Sequence, residues 1–272
     1  MSANVAAINA KRNVRLKAIA LPVEHGSWGF VFEPLVAAIA IAFSSAASWI
    51  ALFVIGAFLA RQPLKILLSD WQAKRNLPQT SLALKFTLFY GMFSLTGLLG
   101  SLSFAAPFDL LPFAFISPFA VYQIYCDASR KSRQLLPELT GAIAVSSSAA
   151  AIALAGGWNL ANALALWTVF IARLIPSILY VRNRLQLEKG KNFSRNSVIV
   201  SSLFAFAVVS MLAINGLIPK LVLVMFAVLT FRAIWGLSSY RKKVKAIRIG
   251  VWEVIYGVLT VLSIILGYTF NI

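Results

Sequence analysis

Apolar runs long enough to span a bilayer recur about nine times along the 272 residues, and no other feature narrows the fold as far. One spanning helix needs about 20 apolar residues, because the hydrocarbon core is ~30 Å thick and a helix rises ~1.5 Å per residue. The runs cover 21–44, 48–69, 82–105, 107–125, 135–156, 159–181, 196–215, 217–236 and 248–270. Inside hydrocarbon each backbone N–H and C=O must be satisfied by the segment itself, so the runs read as helices and the chain as an all-α integral membrane protein. Composition agrees. The chain is 60% hydrophobic and 12% charged, about half the charge of a soluble domain, which leaves too little to cover a water-facing surface. The lone Cys126 excludes an internal disulfide and argues against a cysteine-based metal site.

The breaks between runs set the topology. "SSAA", "AAP", "GGWN" and "NGLIP" are short and read as tight turns. They alternate with longer basic breaks, "SDWQAKRNLPQT", "CDASRKSRQ", "RNRLQLEKGKNFSR" and "LSSYRKKVKAIR". Lys11, Arg12, Arg15 and Lys17 fall on the side of the basic loops, and Lys220 stands alone on the other. This bias predicts a cytoplasmic N-terminus, an extracytoplasmic C-terminus and a multi-pass protein of the cytoplasmic membrane. The organisation is a basic cytoplasmic segment, 1–20, and a single nine-helix domain, 21–272. No small-residue cleavage site follows the N-terminal segment, so it does not read as a signal peptide. The net charge of +17 is explained by these loops meeting anionic membrane lipids, not by nucleic acid. A weak repeat runs through the second, fourth and sixth helices. Pro63, Pro118 and Pro176 are each followed seven residues later by Asp70, Tyr125 and Asn183, and bends there would splay the cytoplasmic ends.

Ionisable residues inside the runs carry the functional reading, since each costs at least about 2.5 kcal/mol at the centre of a membrane helix. Glu33, Arg61, Lys65, Glu138, Arg173, Arg232 and Glu253 all map to the cytoplasmic half and are expected to line one cavity. Lys74, Arg75, Arg130, Lys131, Arg182 and Arg184 would form its rim. A basic mouth under an apolar chamber suits an anionic head on a lipophilic tail. The stretch "LPVEHGSWGFVFEPLV" places Glu24, His25 and Trp28 at the mouth and Glu33 deeper, facing Arg61 or Arg173. Glu33, Glu138 and His25 are the candidate proton acceptors. The plain alternative for Glu33 is a structural salt bridge. H-E-x-x-H, G-x-x-x-x-G-K-[ST] and G-x-S-x-G are all absent from the sequence.

Two resemblances follow from quoted residues. "PVEHGSWGFVFEP" followed by "RQPLKILLSDWQAKR" resembles the YwiC-like family of bacterial membrane proteins. Helix count and orientation are similar to those of the UbiA superfamily of intramembrane prenyltransferases, and "YCDASRKSRQLLPELTG" looks like that family's Tyr…Lys/Arg stretch. The second resemblance implies that Tyr125, Arg130 and Lys131 handle a diphosphate. It also implies magnesium held by aspartate-rich loops after helices two and six. Here Asp70 matches the first aspartate, but Ala73 and Leu77 stand where others belong, and Glu188 follows Arg184 in the second loop. Asp70 and Glu188 are therefore weak metal candidates, and Mg²⁺ is left open as a cofactor. The arginines would bind the head directly, with Arg61, Arg173 and Arg184 foremost and Lys65, Lys74, Arg75 and Arg232 around them. Glu24, Trp28, Glu188 and Glu253 complete the expected pocket. The expected function is UbiA-like binding of an isoprenoid or similar lipid, extending to prenyl transfer. The alternative is a transporter or lipid-binding protein without chemistry.

The topology is open to a direct check. A periplasm-active reporter fused after Ile272 is expected to be active and a cytoplasm-active one silent; the reverse would overturn the count of nine.

Overall fold

The computed structural model describes residues 16–22, 25–74, 77–129, 131 and 134–272. Glu24, Arg75, Arg130, the side chain of His25 and most of the basic N-terminal segment lie outside the described residues. Within them the chain is all-helical: α1 His25–Ile41, α2 Ser45–Gln72, α3 Pro78–Phe104, a 3-10 turn Pro107–Leu110, α4 Leu111–Ala128, α5 Leu135–Ser146, α6 Ser148–Ala155, α7 Leu160–Glu188, α8 Arg195–Ile214, α9 Leu221–Gly236 and α10 Ala246–Phe270. Among these residues seven helical segments are long and apolar enough to cross a membrane, counting the turn with α4 and α5 with α6. Two more, α1 and α9, are apolar and shorter. The chain is a multi-pass membrane protein.

The short turns fall where the sequence puts them. Two contain a glycine in the left-handed region, Gly157 (φ +85°) and Gly216 (φ +70°), where a Cβ would be strained. The side chain of Asn159 accepts the Asn162 N–H at 2.9 Å and starts α7. The long loops are corrected. The helices α2, α4 and α7 run on past their apolar stretches to Gln72, Ala128 and Glu188. Loss of hydrophobicity marks where a helix leaves the membrane, and Arg, Gln, Leu and Glu sustain it beyond that point. Arg182, Asn183, Arg184 and Glu188 are thus helical, not loop. Pro63, Pro118 and Pro176 lie inside unbroken helices.

The run 135–156, read as one helix, is divided at Ser147. The Ser146 hydroxyl donates to the Ile143 carbonyl at 2.9 Å and that of Ser147 to the Ala144 carbonyl at 2.7 Å. Serines that bond back to preceding carbonyls bend helices. Trp167 Nε1 donates to Ser146 Oγ at 3.0 Å and holds the break against α7.

Two packing regimes coexist. The centre is rich in alanine: Ala37, Ala38, Ala46, Ala47, Ala149, Ala150, Ala151 and Ala153 are all fully buried, and α1 packs there against α2, α5, α6, α7 and α10. Small side chains let backbones approach, and dispersion is the main attraction where lipid is as apolar as leucine. The α2–α3 hairpin lies at the periphery. Leu88, Phe89, Met92, Leu95 and Leu99 of α3 are exposed and face the bilayer. Glycines close the hairpin instead. A Cβ on Gly97 would come 2.7 Å from the Phe53 Cα, and one on Gly56 2.8 Å from the Ser94 Cα. Ser94 Oγ donates across to the Phe53 carbonyl at 3.1 Å.

Overpacking such a contact costs about 1–3 kcal/mol. Gly97→Ala is therefore expected to lower the thermal unfolding transition in detergent. Gly91→Ala, on the same helix with open space around the new methyl, should leave it unchanged or raise it slightly through helix propensity. Equal behaviour of the two would refute the close approach.

Candidate functional site

Four helices each bring one charge to a common point. Glu33 comes from α1, Arg173 from α7, Arg232 from α9 and Glu253 from α10. Arg173 Nε is 3.7 Å from Glu33 Oε2, and its Nη1 is 3.5 Å from Glu253 Oε2. Nη2 of Arg173 donates to the Glu253 backbone carbonyl at 3.2 Å, and Nη1 donates to Ser177 Oγ. Arg232 Nη1 donates to Glu253 Oε1. Its guanidinium lies over two rings, 4.3 Å from the centroid of Tyr180 and 4.9 Å from that of Tyr256, which supply electron-rich faces to a cation away from water. Arg173 is 3% and Arg232 9% exposed, so both must be compensated.

The local sequence makes this arrangement. Arg173, Ser177, Tyr180 and Arg184 fall at steps of four, three and four, which is one face of α7. Glu253 and Tyr256 share a face of α10 by the same rule. Space for the Glu33 carboxylate comes from a missing side chain on α10: a Cβ on Gly257 would come 2.6 Å from its Cδ.

A small cavity, with room for about one water molecule, adjoins the charges, walled by α7, α8 and α9. Its polar lining is Arg173, Ser177, Ser202, Thr230 and Arg232, and its apolar lining includes Ala172, Ala205, Phe226 and Leu229. Nε of Arg173 and Nε of Arg232 are both buried without a hydrogen-bond acceptor among the described residues. The Arg173–Glu33 and Arg173–Glu253 Oε2 contacts are also longer than the ~2.7–2.9 Å of a charge-assisted hydrogen bond. The two guanidiniums retain donor capacity on the wall of a cavity, which is a chemistry for an anion.

The single cavity shared by all the buried charges is corrected. Arg61 binds Asp127 in bidentate fashion, at 2.7 and 3.2 Å, and the Gln123 amide, oxygen inward, accepts from it at 3.0 Å. Glu138 pairs with Arg182 at 2.6 Å. Neither pair joins the central four, because each buried charge is neutralised by the nearest opposite one. Lys65 lies one turn beyond Arg61 on α2. Lys74 lies in the turn after α2 with φ +50° and is exposed, like Lys131. Tyr125 is 63% exposed on α4. Trp28 stacks on Phe32 and meets Phe58 edge-on, with centroids at 5.9 and 5.1 Å, so it packs against the core. Arg184 donates to the carbonyls of Gly236 and Lys242 and contacts Glu188 at 2.9 Å. Asp127, Ser177, Tyr180 and Tyr256 were missed by sequence reasoning. The helical spacing from Arg173 and Glu253 would have found the last three. Asp127 was hidden by ending the fourth helix at 125.

The residues present do not fit magnesium. Asp70 accepts from Thr80 at 2.7 Å and from Gln79 at 3.3 Å. Glu188 lies between Arg184 and Arg241. Among the described residues no three His, Cys, Asp or Glu side chains gather where a metal ion could be held.

Residues 21–153 match the family model described as YwiC-like protein, and over that span the chain is similar to that family. The match includes Glu33, Arg61, Asp127 and Glu138 and ends before Arg173, Arg232 and Glu253. No curated protein and no solved structure matches the chain.

Glu33 and Arg173 are coupled in this geometry, and Glu33 and Arg61 are not. Arg173→Gln should destabilise by about 3–5 kcal/mol through the charges it strands. Adding Glu33→Gln should recover part of that loss, whereas Glu33→Gln with Arg61→Gln should be additive to within about 0.5 kcal/mol. Unfolding in detergent measures both cycles; coupling to Arg61 instead would place Glu33 elsewhere.

Proposed function

We propose that the protein binds an amphiphile with an anionic head, of the isoprenoid diphosphate or anionic lipid kind, in the cavity between α7, α8 and α9. The observation that carries this reading is that Arg173 and Arg232 line one cavity and that the Nε of each is buried without an acceptor among the described residues. A head oxygen at each would complete the guanidiniums, and Ser177 and Thr230 would add hydroxyls. Apolar walls at Ala172, Ala205, Phe226 and Leu229 would take the first carbons of the tail. The cavity has room for about one water-sized group, so α7, α8 and α9 would part to admit the head, and the rest of the tail would lie among the lipids. The basic loops would draw anions towards the cavity from the cytoplasmic face of the cytoplasmic membrane.

This function needs no chemical step and serves a lipid-binding or transport protein equally. The placement of Glu33 and Glu253 beside the arginines favours a second reading, a UbiA-like prenyl transfer. In it the guanidiniums would hold the leaving diphosphate and a carboxylate would accept the proton of an acceptor. That reading leans on the helix order and count, an analogy of fold.

The test is binding to purified protein. Geranyl diphosphate is expected to raise the melting temperature of the wild type. Arg232→Gln should weaken its binding tenfold or more, since a hydrogen bond to a charged group contributes about 1.5–3 kcal/mol. Arg248→Gln, an exposed charge at the start of α10, should leave it unchanged. Equal loss in both variants would mean diffuse electrostatics and would sink the site. Mass spectrometry of the lipid extracted with the protein identifies the resident amphiphile.

A further inference from the structure

We infer that an anion entering the Arg173–Arg232 cavity is accompanied by one proton, and that Glu33 receives it. The inference rests on the anion-binding reading above and adds its charge balance. The central charges are Arg173 and Arg232 against Glu33 and Glu253, two positive and two negative, so the set is neutral. Arginine stays charged throughout the accessible pH range. A further negative charge in that buried, neutral set is strongly disfavoured by its loss of hydration. Protonating one carboxylate restores neutrality and frees guanidinium capacity for the head.

Geometry selects the carboxylate. Glu253 is held by both arginines, with Oε1 on Arg232 and Oε2 3.5 Å from Arg173. Glu33 has a single charge contact, at 3.7 Å, and the rest of its carboxylate packs on Gly257 and Gly29. Its side chain is 12% exposed, against 3% for that of Arg173. The step is the formation of one O–H bond, with the proton drawn from the aqueous phase.

Other charges near α1 are committed elsewhere. On α2, Arg61 is held by Asp127 and Asp70 by Thr80 and Gln79, and Lys65 is engaged as well. On α5, Glu138 is held by Arg182. The helix α6 carries no charge. On α7, Arg184 and Glu188 pair with each other. Tyr180 of α7 and Tyr256 of α10 face Arg232. On α1 itself the other titratable residue is His25, about two turns away.

The test uses the full chain in phosphatidylcholine nanodiscs with decyl sulfate, an amphiphile of fixed single charge, so that only the protein titrates. Binding is measured by calorimetry from about pH 5 to about pH 9. Over the range in which Glu33 is ionised in the free protein, Kd is expected to rise about tenfold per pH unit. Proton uptake in weak buffer should approach one per anion bound. In Glu33→Gln, which mimics the protonated side chain, the slope should vanish, with binding at high pH as tight as that of the wild type at low pH. A flat wild-type profile, with binding still lost in Arg232→Gln, overturns the proton linkage and leaves the anion site standing. A slope that persists in Glu33→Gln puts the proton on another group and also overturns it. Binding insensitive to Arg232→Gln overturns the site itself. Should Glu33→Gln fail to fold, the wild-type slope and the proton count decide alone.

Discussion

A charge that cannot reach water must find its opposite, and that requirement organises the centre of this molecule. Glu33, Arg173, Arg232 and Glu253 come from four helices and from both ends of the chain. None could be placed at this depth alone at tolerable cost. Together they bind the first helix to the seventh, ninth and tenth and set the rotation of each about its axis. The Tyr180 and Tyr256 rings complete the enclosure of Arg232. The same logic, applied pairwise, fixes Arg61 to Asp127 and Glu138 to Arg182. The polar interior is thus a set of locally neutral units, and the central one borders a cavity with arginine donors that have no acceptor among the described residues.

Elsewhere the fold is held by approach. The hydrophobic effect does little between helices in lipid, so contact area and closeness decide. Alanines at the centre, around α1 and α6, and glycines between α2 and α3 at the periphery supply that closeness. The α2–α3 hairpin presents large side chains outward and glycines inward, the reverse of a soluble helical hairpin. The break at Ser147 belongs to the same economy of space. Two hydroxyls bond to their own helix and a third group, the Trp167 indole, uses one of them as acceptor, so the break leaves Ser146 and Ser147 satisfied in an apolar surrounding.

Much of the architecture was legible. Bilayer thickness dictates run length, and run length located the helices and the four short turns. The long loops were misjudged for the same reason: hydropathy reports where the membrane ends, and α7 continues past that point to Glu188. The buried charges were legible as a set because rarity in an apolar run is itself a signal, which is how Glu33, Arg173, Arg232 and Glu253 were singled out. Their partition was not legible. Which carboxylate meets which arginine depends on helix rotation and neighbour order, and these arise from packing that no single run encodes. Asp127 shows the limit well: its role appears only when α4 lies beside α2. Tyr180 and Tyr256 were within reach of sequence, since each sits at helical spacing from a charge already identified.

One face of α7 connects the membrane interior to the loop beyond it. Arg173 and Ser177 touch at the cavity, Tyr180 lies against Arg232, and Arg184 donates to the carbonyls of Gly236 and Lys242. The Tyr180 hydroxyl occupies the space a side chain on Gly236 would need. The C-terminal turn of α9 is therefore gripped by α7 at two levels, through Arg232 inside the membrane and through Gly236 at its edge. Gly236 is the last residue of α9, and its carbonyl has no partner within the helix. Arg184 supplies the missing donor with a full positive charge at the negative end of the helix dipole. A residue whose sequence position suggested a loop ligand for phosphate is instead committed to closing a helix. Deeper in the same face, Arg173 borders the cavity with its Nε buried and without an acceptor among the described residues.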